Sequence, residues 1–170
     1  MEVSPGLSVL AVDDGPTGAR TFATKGLCLV PHPKDPGVGA NRFEIVAASR
    51  GEDLTRYVAT AAFILAKALQ APLEGRVVSN IASRAGMDDL AGSFPHGLFL
   101  LPDPWDELVQ PLRLPAFTLV PMFLMPLAEP EHRFLKARGM DAFLELLRRS
   151  KVDAFDLHRD PMVVDRVDAH

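Results

Sequence analysis

The stretch from Leu114 to Ala128 constrains the fold of this chain more than any other part of the sequence. It is almost wholly apolar, but three prolines interrupt it. A helix that crosses a bilayer needs about 20 consecutive apolar residues, so this stretch is too short to be one. Between Phe117 and Met125 apolar side chains occupy both alternating faces, which is typical of a strand covered on two sides. The sequence therefore predicts a central strand, with a bulge or strand end at Pro121, because proline cannot donate a ladder hydrogen bond.

Shorter patterns predict the elements around this strand. Strands are predicted over residues 7–12, 21–30, 43–47, 76–81 and 98–101, a loop over 82–96, and a strand or extended tail at 162–164. Apolar residues at helical spacing predict one helix that Asp53 caps and that ends before Pro72. A second helix begins near Pro130 and is interrupted at Gly139. Strands followed by helices predict an α+β fold, a mixed and mostly antiparallel sheet with helices packed against it, in one domain over residues 1–170.

The charge balance gives no reason to expect a nucleic-acid partner. The chain has 22 acidic and 18 basic residues and a formal net charge of −4, whereas a broad phosphate-binding surface needs clustered lysine and arginine. The densest basic cluster contains Arg148, Arg149 and Lys151. It falls at the end of a predicted helix, where cations complement the negative end of the helix dipole.

The cysteine count and the N-terminus predict a cytoplasmic protein. Cys28 is the only cysteine, so no internal disulfide can form, which suits a reducing compartment. Residues 1–6 lack the basic stretch and the apolar run of a secretory signal. We therefore expect a cytoplasmic chain with no membrane contact.

No pattern in the sequence predicts a metal or a cofactor. The five histidines lie far apart along the chain, and no Cys-x-x-Cys or His-x-x-x-His pair occurs, whereas zinc sites gather three or four such ligands. Gly37-Val38-Gly39 begins like a dinucleotide fingerprint, but Arg42 occupies the place of the third glycine and no helix follows. The expectation is therefore no metal site and no cofactor.

A nucleophilic enzyme is the first alternative to a binding protein. Ser93 lies close to His96 in the sequence and Cys28 supplies a thiol, so a hydrolase or transferase could assemble from these residues. However, no Gly-x-Ser-x-Gly elbow is present. Cys28 falls in an apolar segment, residues 27–30, where a strand with a buried and inert thiol is predicted. We therefore predict that the chain is not an enzyme.

Two aromatic residues are candidates for partner contacts. Phe63 lies opposite the apolar stripe of the first helix, between Arg56 and Lys67. An aromatic side chain among charges either anchors an interface or is covered by a second layer of the protein. Trp105 is on a predicted loop after a strand, where it either binds a partner or folds back onto the core.

Several stretches of the chain resemble the suppressor-of-fused family. Thr21 through Leu27 is similar to the family's Thr-x-Gly-Leu/Met strand, and Phe43 through Val46 to the Glu-Leu strand before its first helix. Leu119 through Leu127, followed by residues 131–147 with their Gly-Met-Asp-Ala junction, resembles the family's apolar strand and two-step helix. Leu98 through Pro102 also fits. Cys28 departs from the family, which often has serine at this position, and residues 83–96 are only loosely similar.

The resemblance implies a non-catalytic α+β domain that binds another protein. Animal members of the family sequester transcription factors, and bacterial members are similar to immunity proteins that neutralise toxins encoded beside them. This chain is near the size of the lone bacterial domain, so an immunity role is the leading hypothesis. A structural subunit that forms a homodimer is the second alternative.

Overall fold

One sheet and four helices make up the part of the chain that a computed structural model describes, which is residues 6–13, 18–102 and 110–162. The strands are β1 Ser8–Val12, β2 Arg20–Lys25, β3 Asn41–Ser49, β4 Val77–Val78, β5 His96–Leu100, β6 Leu112–Arg113 and β7 Thr118–Leu127. The helices are α1 Thr55–Ala68, α2 Ile81–Arg84, α3 Asp88–Ser93 and α4 Glu129–Ser150, with 3₁₀ turns at Leu27–Leu29 and Pro36–Val38.

The sheet places β7 near its centre. The strand order is β1-β2-β3-β7-β5-β4, and β6 pairs with the first part of β7. The β3–β7 pair is parallel, and the other pairs of the described strands are antiparallel. The predicted α+β fold with a mixed, mostly antiparallel sheet is confirmed, and so is the central position of the strand after Phe117.

Pro121 neither ends β7 nor makes a bulge against β3, so this prediction is wrong. The parallel register runs without a break through the pair of Glu44 and Pro121 to the pair of Val46 and Phe123. On its other edge β7 changes partner, because β6 pairs with residues 118–119 and β5 with residues 123–127. Pro121 lies between these two partners, where that edge of β7 needs no N–H donor.

Two helical layers cover the sheet. α1, α2 and α3 pack on one face, in a core that includes Phe22, Ile45 and Leu124. α4 and the segment after it pack on the other face, against Phe123 and Met125. Neighbouring residues of β7 therefore enter opposite cores, since successive side chains of a strand point to opposite faces.

The two long helices match their predictions. Asp53 accepts a hydrogen bond from Thr55 N at 2.8 Å at the start of α1, which ends before Pro72. In α4 Gly139 takes a φ of 81°, which other residues rarely adopt, and the helix bends there. None of the helices in the described ranges combines the length and the apolar character that a bilayer crossing requires.

Three predicted segments differ from the structure. The strand predicted through Val30 ends at Lys25, because Gly26 has a φ of 101° and leads the chain into the turn Leu27–Leu29. The predicted loop over 82–96 contains α2 and α3, and the strand predicted over 76–81 keeps only the two residues of β4. Helices this short contain too few turns to show a period in the sequence. Residues 163 and 164 of the predicted tail lie outside the described residues.

Candidate functional site

Two histidines and a glutamate meet where β5, β7 and α4 come together. His96 begins β5 and pairs with Leu127 at the end of β7, and Glu129 begins α4 directly afterwards. The ring of His132, in the first turn of α4, has its centroid 4.4 Å from that of His96. These two histidines are far apart in the sequence but adjacent in the structure. Strand pairing brings them together, and no spacing along the sequence signals it.

Hydrogen bonds fix the tautomer of His96. Asn80 N donates to His96 Nδ1 at 3.1 Å, so Nδ1 carries a lone pair and the proton is on Nε2. This Nε2–H donates to Glu129 Oε2 at 2.6 Å. The His96 side chain is buried and the Glu129 side chain is about half exposed. His96 is therefore a neutral donor that orients the first carboxylate of α4.

The three side chains have the spacing of a metal site, since one ligand atom from each lies within 4.8 Å of the others. A metal on His96 Nε2 would move the ring proton to Nδ1, where it would face the N–H of Asn80. Metal-bound histidines donate their second ring N–H to an acceptor instead. The local hydrogen bonds therefore oppose metal binding by this ring, and the lack of a metal centre stays a prediction.

Burial and neighbouring charges set the titration of this cluster. Burial lowers the pKa of His132 below its usual value, and the positive charge of Lys136 lowers it further. The hydrogen bond with His96 is the main cause that lowers the pKa of Glu129. The folded state therefore favours a neutral His132 beside an ionised Glu129.

We expect the chain to lose stability as the pH falls below about 6.5, the ordinary pKa of histidine. The pKa of His132 is lowered in the folded state, so the unfolded chain binds more protons between that lowered value and about 6.5, which favours unfolding. Replacing His132 with glutamine should flatten the dependence by up to about 1.4 kcal/mol per pH unit. Urea denaturation at about pH 7.5 and about pH 5.5 measures the effect.

His158→Gln is the matched control, because the side chain of His158 is 76% exposed. Burial also lowers the pKa of His32, so part of the pH dependence should remain in the His132 variant. An unchanged slope in His132→Gln would contradict the assignment.

Ser93 and His96, the residues of the nucleophilic alternative, lie in different environments. Ser93 ends α3 and is exposed, whereas His96 is buried. Asn80 and Glu129 occupy both ring nitrogens of His96. In this arrangement the ring offers no free lone pair that could accept the proton of the Ser93 hydroxyl.

The surroundings of Cys28 disfavour its thiolate. Cys28 lies in the turn Leu27–Leu29 and is half-buried, so its predicted place in a buried strand is wrong. Burial, followed by the carboxylate of Glu44, raises the pKa of the thiol to about 11. Because the thiolate is the reactive form, Cys28 is a poor nucleophile at neutral pH.

The described residues include one of the two aromatic candidates, Phe63. Phe63 lies on α1 and is half-buried. Trp105 lies outside the described residues. Both stay predicted partner contacts.

Comparison of the sequence with protein-family models identifies its family. Residues 4–160 match the model of the suppressor of fused protein (SUFU). The chain belongs to the suppressor-of-fused family. A curated relative, Immunity protein YqcF of Bacillus subtilis (strain 168), is 26% identical over 162 residues, and the match covers 92% of this chain and 82% of the relative.

Solved structures show the same fold. A suppressor-of-fused homologue from Neisseria gonorrhoeae FA 1090 is similar with a TM-score of 0.65 and 18% identity, over 92% of this chain and 78% of that one. The Sufu–Fu complex is similar with a TM-score of 0.63 and 11% identity, over 91% of this chain and 75% of that one. The family resemblance seen in the sequence is thus confirmed.

In this suppressor-of-fused domain, Glu44 ties together two of the stretches that carry the family likeness. Its carboxylate accepts the backbone N–H groups of residues 26, 27 and 28 at 2.9, 3.3 and 3.2 Å. Thr24 donates its hydroxyl to the same carboxylate and accepts the N–H of Ile45 at 2.7 Å. The end of β2 and the middle of β3 are therefore one hydrogen-bonded unit.

A buried ion pair that the sequence analysis missed joins α4 to the segment after it. Arg159 donates to Glu131 through Nη1 at 2.6 Å and through Nη2 at 3.2 Å, and the two side chains are 5% and 0% exposed. The same carboxylate accepts the N–H of Ala128 at 3.0 Å and of Met162 at 2.9 Å. The guanidinium also lies 4.6 Å from the ring centroid of Phe94. Glu131 and Arg159 are 28 positions apart, so no local motif indicates the pair.

Proposed function

We propose that this suppressor-of-fused domain is an immunity protein that binds a toxin in the cytoplasm of the cell that makes both. The observation that carries the proposal is the likeness to Immunity protein YqcF, which extends over 92% of this chain. The Sufu–Fu complex, which has a similar fold, adds support because it is an assembly with another protein. The fold therefore serves as a scaffold that presents a binding surface.

The mechanism proposed is occlusion of the toxin without chemical change. Both ring nitrogens of His96 are engaged, and the thiol of Cys28 has a raised pKa of about 11. Neither group is thereby prepared for catalysis. A partner is held instead by a few well-packed contacts that exclude water, for which Phe63 and Trp105 are the proposed candidates.

The test is co-expression with the product of the reading frame beside this gene. We expect that product to arrest growth when it is produced alone and to be tolerated when this chain is produced with it. A stable complex should then be recovered by affinity purification of either protein. A neighbouring product that still arrests growth, with no complex recovered, would contradict the proposal.

Variants of this chain, tested in the same co-expression experiment, distinguish occlusion of the toxin from catalysis. Cys28→Ser combined with Ser93→Ala should protect as well as the unaltered chain, and loss of protection with the complex intact would favour the hydrolase or transferase. Phe63→Ala and Trp105→Ala should weaken the complex. Lys67→Ala is the control on the same helix, because Lys67 is exposed.

A further inference from the structure

The outer edge of the sheet at β1 pairs with no other strand of the described residues. β1 pairs with β2 over five residue pairs, from Ser8 with Lys25 to Val12 with Thr21, and it ends the strand order of the sheet. An edge strand presents backbone N–H and C=O groups that can pair with another strand. The register with β2 has no bulge that would twist this edge away.

The side chains of β1 do not protect this edge. Its sequence, Ser-Val-Leu-Ala-Val, contains no charged residue and no proline, the residues that proteins commonly use to block edge pairing. Leu10 is 53% exposed and Val12 is 59% exposed. Val9 packs toward the core that α1 covers, so Leu10 and Val12 point to the other face of the sheet. The opposite end of the sheet has only the two residues of β4.

We propose that β1 pairs antiparallel with β1 of a second copy of this chain. A two-fold axis at Leu10 would place Leu10 against its own counterpart and Ser8 against Val12 of the other copy. In such a pairing the β1 edge of each copy is covered by the β1 edge of the other. No β1 edge is then left for a third copy, so the assembly is a dimer rather than a filament. The strand is uncharged, so no like charges would face each other across the axis. Asp13, just beyond the strand, is paired with Arg20 at 2.9 Å.

The area available sets the strength of this dimer. A stable interface commonly buries roughly 800 Å² on each partner, and two strands of five residues offer less. The dimer should therefore be reversible, with a dissociation constant in the micromolar range. This inference does not depend on the immunity role.

Sedimentation equilibrium of the purified full chain over about 10 μM to about 1 mM tests the proposal. The weight-average mass should rise from 18.5 kDa toward twice that value. Leu10→Lys should remain at the monomer mass throughout, because the side chain would place two like charges across the axis. Leu112→Lys should behave like the unaltered chain, since Leu112 has a similar exposure of 55% on β6.

Circular dichroism melts of the variants confirm that they are folded, which is expected because both leucines are exposed. A chain that is monomeric at every concentration would overturn the proposal. So would a dimer that Leu10→Lys leaves intact. A loss of toxin binding in Leu10→Lys, with the unaltered chain monomeric, would also overturn it and would assign the edge to the toxin.

Discussion

Replacing Arg159 with alanine is expected to lower the free energy of unfolding by about 3–5 kcal/mol, the usual effect of removing one partner from a buried ion pair. The carboxylate of Glu131 is 0% exposed and would lose its only cationic partner among the described residues. The carboxylate would then be buried with nothing to compensate for its removal from water. Urea denaturation of the variant and of the unaltered chain measures the loss.

Arg133→Ala is the matched control for this prediction. Arg133 lies on the same helix and is 71% exposed, with its Nε 3.6 Å from Glu129. Exposed pairs of this kind contribute about 0–1 kcal/mol. The double variant Glu131→Gln with Arg159→Gln should recover part of the loss, because no charge is then buried alone. If Arg159→Ala is no more destabilising than Arg133→Ala, the buried pair does not hold the C-terminal segment.

Replacing Gly26 with alanine is the second large effect, with an expected loss of roughly 2–5 kcal/mol from backbone strain and overpacking together. Gly26 has a φ of 101°, and a Cβ there would lie 2.4 Å from the carbonyl oxygen of Gly6. Neither the φ nor the contact can relax without moving the backbone. The shift would also pull the N–H groups of the turn away from Glu44.

Gly92→Ala is the control for Gly26→Ala. Gly92 lies in α3, where an added Cβ meets no atom within 4 Å. Alanine is about 1 kcal/mol better than glycine inside a helix, so this variant should be neutral or slightly more stable. Thermal melts of both variants measure the difference. Equal melting temperatures for the two would contradict the role assigned to Gly26.

The sequence by itself determined the helices and strands in which apolar residues recur at a regular spacing over several turns or over many strand residues. α1 and α4 show helical spacing over many residues, and Asp53 and Gly139 mark a start and a bend that the structure contains. The apolar run after Phe117 indicated a strand covered on both faces, which is β7. These signals are local, because the spacing of apolar residues in a helix or strand can be read from consecutive residues of the sequence. The family likeness was also present in the sequence.

Only the tertiary structure decided which distant residues meet. Pro121 stays within β7 because the neighbouring strand changes at that point. His96 reaches Glu129 because β5 pairs with the end of β7, and Glu131 meets Arg159 because the chain returns past α4. The edge position of β1 likewise follows from the order of strands. Strand order and long-range contacts depend on how the helices and strands pack together. The spacing of residues within one element does not predict that packing.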